Sequence, residues 1–118
     1  MLPDLATVSL SVKQLREEIE EFEEAVREGD LVKAIDALID LQYFHHGIVY
    51  KMGVPSALYF LAFSEVHKAN MEKQKGVKAE RGDYGVPDAN KPIGWQPPEE
   101  KIRELLVSYG KKAGWPQL

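Results

Sequence analysis

Between Val12 and Val26 the apolar residues fall at Val12, Leu15, Ile19, Phe22 and Val26, three or four apart throughout. That spacing follows the turn of an α-helix and no strand period, so the stretch reads as an amphipathic helix with one side reserved for a core. The reading extends to Glu28, where Gly29 supplies a stop and Asp30 an N-cap for the next helix. Residues 1–11 read as an ordered lead-in or a frayed arm, in which Pro3, Ser9 and Ser11 fit a helix start. A second helix is expected from Leu31 to Met52, ending at Gly53. It carries Leu31, Ile35, Leu38, Ile39, Leu41, Phe44, Ile48, Val49 and Met52 around much of its circumference, so it must meet several neighbours. Pro55 and Ser56 open a third helix over about 57–73, with Leu58, Leu61, Ala62, Val66 and Ala69 inward.

From residue 74 to 98 glycine and proline interrupt any period, as Gly76, Gly82, Gly85, Pro87, Pro92, Gly94, Pro97 and Pro98. A structureless stretch of that length inside one domain is more often functional than accidental. A last amphipathic helix is expected over about 98–114, with Ile102, Leu105, Leu106 and Tyr109 inward. The predicted fold is all-α: an antiparallel bundle of about four helices in one domain over residues 1–118, with core helices over about 12–73.

Composition narrows what such a bundle can do. The net charge of -4 argues against a nucleic-acid backbone as partner, and no apolar run approaches the roughly 20 residues that span a bilayer. With no cysteine there is no disulfide and no thiolate metal site, and a reducing, cytoplasmic compartment is expected.

The first helix crowds six glutamates into EEIEEFEE, residues 17–24. Glu18 flanks the apolar face, Glu21 lies one step further round and Glu17 beyond it. On the second helix Asp36 and Asp40 are four apart and share a face, and Tyr43 and Gly47 continue that line. Two readings stand side by side. Glu17, Glu18, Glu21, Asp36 and Asp40 could close around hard, oxygen-seeking cations such as magnesium or manganese. Periodicity alone favours solvated helix faces, as charge runs on helices usually are, and Lys33 and Lys51 lie near the Asp36–Asp40 line.

His67, Asn70 and Lys73, three apart, line one edge of the third helix. Imidazole, amide and ammonium together suit a nucleotide; they also suit an ordinary surface. Lys91 and Trp95 lie in KPIGWQPP, either as a cover for a ligand or with Trp95 as an anchor tying the loop to the core. His45 and His46 read as packing or interface residues.

In order, EExxE, DALxD, EVHxxNMxK and KPxGWxPP resemble the all-α nucleoside triphosphate pyrophosphohydrolases, the MazG-like and phosphoribosyl-ATP pyrophosphohydrolase-like proteins. The likeness spans Leu15 to Pro98 and is closest to the short phage and bacterial members. It implies metal-dependent hydrolysis of a nucleoside triphosphate to the monophosphate and pyrophosphate. It further implies that Glu17, Glu18, Glu21 and Asp40 bind magnesium. One departure stands out: the usual second motif is ExxD, and three residues before Asp40 the chain has Ala37, with Asp36 the acidic residue closest to replace it.

Hydrolysis requires a base, and Glu18 or Glu21 is the residue placed for it. The rivals are a non-catalytic helical interaction or regulatory module, and an enzyme acting on phosphoribosyl-ATP. The resemblance also implies a homotetramer, or failing that a dimer, with the nucleotide site completed by a neighbouring chain. Phe44, Ile48, Tyr50 and Phe60 are the residues expected to remain for such contacts.

Overall fold

The computed structural model describes residues 2–76, 88–90 and 93–118. The fold is all-α, with helices α1 (Leu5–Glu28), α2 (Leu31–Lys51), α3 (Ser56–Met71) and α4 (Glu99–Ala113). Two compact units divide the chain, residues 1–56 and residues 57–118.

In the first unit α1 and α2 pack against each other as a helical hairpin. The turn between them has two residues. Gly29 takes the left-handed conformation, φ 70°, which glycine reaches without a Cβ penalty. Its N–H donates to the Val26 carbonyl and that of Asp30 to the Ala25 carbonyl, the crossed pair that closes a helix end. Asp30 then caps α2, its carboxylate accepting from the Lys33 N–H at 3.0 Å.

The start of α1 lies well before the expected one. Asp4 is the N-cap, its side chain accepting from the Thr7 N–H at 2.7 Å, so the helix begins at Leu5 and Ser9 and Ser11 are interior. Once an upstream aspartate has nucleated the first turn, each further residue adds a hydrogen bond at little cost. The expected lead-in is therefore two more turns of helix.

The seam of the hairpin is built from small residues. Ala25, Ala34 and Ala37 are buried, and along α1 the buried line is Ser11, Glu18 and Ala25, each seven apart. The large apolar residues sit beside that line. Val12, Leu15 and Phe22 are half-buried, while Ile19, Val26, Leu31, Ile35, Leu38 and Ile39 are exposed. Phe44 and Ile48, expected as leftover surface, are half-buried; Tyr50 and Phe60 are exposed as expected.

In the second unit α3 ends at Met71, so Lys73 lies past the helix rather than on it. Leu58 and Ala69 are buried as expected, whereas Leu61 is exposed. The stretch expected to lack structure contains two short antiparallel strands, β1 (Gln74–Gly76) and β2 (Asp88–Asn90), with Lys75 opposite Ala89. Strand pairing satisfies the backbone groups that glycine and proline bar from a helix. α4 starts directly after Pro98, as expected, and stops at Gly114; beyond it Trp115 folds back, its N–H donating to the Gly110 carbonyl at 2.8 Å.

Candidate metal centre

Because α1 and α2 are joined by so short a turn, residues flanking the seam on one helix face residues flanking it on the other. Glu18 lies in the seam itself, only 8% exposed. Helical periodicity alone sets it at the flank of the apolar face; in the fold it belongs to the buried line. Its Oε2 is buried and has no hydrogen-bond partner. Burial, followed by the Glu21 carboxyl and then Asp40 and Asp36, pushes the Glu18 carboxyl up to about 7. Four carboxylates thus share one region of the hairpin, two from each helix.

Glu21 and Asp36 are exposed and line a groove of about 220 Å³ together with Glu24, Ala25, Glu28 and Lys33. The Lys33 ammonium pairs with Glu28 at 3.2 Å, and that carboxylate raises its pKa. The lysine beside the Asp36–Asp40 line is therefore engaged with α1 at the far end of the groove. Asp40 is half-buried. Glu17 is exposed and lines a different hollow, with Lys13, Arg16 and Glu20. Ala37 is 2% exposed, so the position that departs from ExxD is packed into the helix contact.

Among the described residues no three histidine, aspartate or glutamate side chains converge closely enough to hold an ion as they stand. The donor set nonetheless fits one kind of guest. Glu18, Glu21, Asp36 and Asp40 offer only oxygen, and a buried carboxylate oxygen without a partner calls for a cation or a proton. Magnesium usually keeps several waters and takes only a few protein carboxylates, so a loose set is compatible with it.

The second unit places the remaining residues. His67 and Asn70 are exposed on α3. Trp95 is an anchor: its Nε1–H donates to the Ala69 carbonyl at 2.8 Å, and the Lys73 ammonium lies 5.2 Å from its ring centroid. Both Trp95 and Lys73 are thereby occupied within the unit. Lys91 lies outside the described residues. Glu65, inside the EVHxxNMxK motif but given no role from sequence, receives Lys68 at 3.3 Å and Lys101 at 3.7 Å, which ties α3 to the start of α4. No spacing rule marks that long-range contact in advance.

The fold is an all-α one, and its first two helices form a hairpin with carboxylates on both sides of the seam. The chain belongs to the phosphoribosyl-ATP pyrophosphohydrolase family, whose model matches residues 3–70, taking in α1, α2 and almost all of α3. This is the superfamily of MazG-like all-α nucleoside triphosphate pyrophosphohydrolases. No curated protein matches the chain. Among the described residues no helix is long and apolar enough to cross a membrane.

Proposed function

We propose that the protein hydrolyses a ribo- or deoxyribonucleoside triphosphate to the monophosphate and pyrophosphate, with magnesium as cofactor and manganese able to replace it. The observation that carries this reading is the buried carboxyl of Glu18, whose Oε2 has no hydrogen-bond partner, beside Glu21, Asp36 and Asp40. Those four residues would hold the metal; Glu17, one turn before Glu21 on α1, is proposed as a further ligand although it lines a separate hollow in the single chain. When bound, magnesium supplies charge neutralisation for the phosphates and a more acidic water. Glu18, shut away from solvent, would anchor the cation. Glu21 is exposed, so it can accept the proton of the attacking water and pass it to bulk solvent. His67, Asn70 and Lys91 are proposed as substrate contacts, and Lys73 and Trp95, which engage each other and the end of α3, as their support.

The family description makes phosphoribosyl-ATP a second substrate candidate. The KPxGWxPP segment, which resembles that of the short phage-like members, favours a general nucleotide substrate. The test is a screen of the canonical ribo- and deoxyribonucleoside triphosphates and phosphoribosyl-ATP with magnesium, reading pyrophosphate against orthophosphate. Pyrophosphate as first product, lost on chelation with EDTA, is expected. Orthophosphate first, or full turnover without metal, would overturn the reading.

A further inference from the structure

Two buried carboxylate oxygens among the described residues have no hydrogen-bond partner, Oε2 of Glu18 and Oε2 of Glu65. The metal centre accounts for the first. Glu65 lies in the second unit, two turns beyond the buried Leu58 and one turn before the buried Ala69, so it belongs to the covered line of α3. Its side chain is only 19% exposed. Lys68, on the same helix, donates to Oε1 at 3.3 Å. Lys101, from the first turn of α4, stops 3.7 Å from Oε2, outside hydrogen-bond range. With α4 in place this acceptor is only half satisfied. Moving α4 away would return Oε2 to water while Oε1 keeps Lys68, so opening does not strand the carboxylate.

α4 carries features that favour a helix by itself. Glu99 and Glu100 in its first turn and Lys111 and Lys112 in its last complement the helix dipole. Its end is closed by its own chain: the Trp115 ring meets Tyr109 edge-on at 5.0 Å and covers Gly110, where a Cβ would come within 3.2 Å of it. Among the described residues α3 and α4 do not pack along their length as α1 and α2 do. On the far side of Pro97 and Pro98, Trp95 is held to α3 by its bond to the Ala69 carbonyl. The two attachments differ in kind. The Trp95 bond is neutral and part-buried, whereas the Lys101 pair is ionic with its lysine 62% exposed, so dissolved salt screens the second.

We propose that Glu65 is an electrostatic catch for α4. The helix and its Trp115 turn dock on α3 through Lys101 and undock as one body, pivoting at residues 96–98 while Trp95 stays seated. Ionic strength sets the balance between the two states.

Hydrogen exchange followed by mass spectrometry tests this at low and high sodium chloride, about 50 and 500 mM. Undocked, a helix of 15 residues is marginal in water, so each opening exposes its amides. In the parent, exchange across residues 99–113 is expected to quicken about threefold at the higher salt, the order of an exposed ion pair, with α1 and α2 unchanged. Glu65→Gln and Lys101→Met should show the fast exchange at both salts. Lys101→Met alters an exposed side chain and keeps its stem, so it carries the test if Glu65→Gln does not fold. Glu100→Gln, which removes only the pair with Arg103 inside α4, should keep the parent's salt response. Protection of α4 that is indifferent to salt in the parent overturns the catch, as does an unaltered salt response in Lys101→Met or its loss in Glu100→Gln. Quickened exchange spread over α1 and α2 as well would make Glu65 a general prop of the fold, and would overturn it too.

Discussion

A carboxyl cut off from water and faced by three other carboxylates is costly to ionise, and Glu18 shows how that cost couples to pH. Its usual value of 4.5 is raised to about 7 in the fold, chiefly by burial and then by Glu21. Between about pH 4.5 and 7 the folded state therefore binds more protons at this site than the unfolded state. Stability falls as pH rises through that window, and the penalty is complete above it. Metal-free protein should show a declining Tm by calorimetry from pH 5 to 7.5. Glu18→Gln should flatten the decline and melt higher at pH 7.5, by several degrees if about 1 kcal/mol is relieved. Magnesium should raise the Tm of the parent at pH 7.5 and leave that variant little changed. For activity, Glu21→Gln and Asp40→Asn should lower turnover by about 100-fold or more with helicity by circular dichroism intact, whereas Glu20→Gln should be nearly silent. Equal effects at all three positions would return the run of glutamates to a solvated surface. That Glu21 of α1 and Asp36 of α2 flank the contact between the two helices was legible, because helical spacing is arithmetic on the sequence. The burial of Glu18 was not, because it depends on which edge of a broad apolar stripe meets α2.

At the scale of elements, caps decided where the expectations held. Gly29 and Asp30 were readable as stop and start because each does its work through its own backbone or side chain. The start of α1 was misplaced because serine caps nearly as well as aspartate, and only the Asp4–Thr7 bond distinguishes them. Asp4→Ala should lower the Tm and fray the first turns of α1. Hydrogen exchange should quicken at residues 5–10 and stay slow at residues 18–28; uniform loosening along α1 would show that the cap is not what holds the first turns. The strands β1 and β2 were not legible, since three-residue segments carry no period to detect. Trp95 stood equally between cover and anchor in the sequence, and its bond to the Ala69 carbonyl joins residues too far apart for local reasoning.

At the scale of the molecule, the apolar residues that α1 and α2 leave exposed are the large ones. Among the described residues none with a large side chain is fully buried, while Val26 is 60% and Leu31 73% exposed. Surface of that kind on consecutive helices marks association. We expect a homotetramer, or a dimer, by light scattering at micromolar concentration, and Leu38→Glu should shift the mass toward the single chain. A monomer that hydrolyses nucleotide at the full rate would refute a site shared between chains. The sequence suggested an interface at Phe44, Ile48, Tyr50 and Phe60; in the single chain the first two are half-buried and the last two exposed. The two-residue turn at Gly29 and Asp30 governs carboxylates well along both helices. Such a turn sets the phase of α2 against α1, as the gap between two gears sets which teeth meet. One alanine inserted between Gly29 and Asp30 advances the helix by about 100°. If Ala34 and Ala37 keep to the seam, the added residue must bulge out; if they do not, Asp36 and Asp40 swing away from Glu18. Magnesium binding by the inserted variant, set against its helicity, reports which contact is the stronger timekeeper.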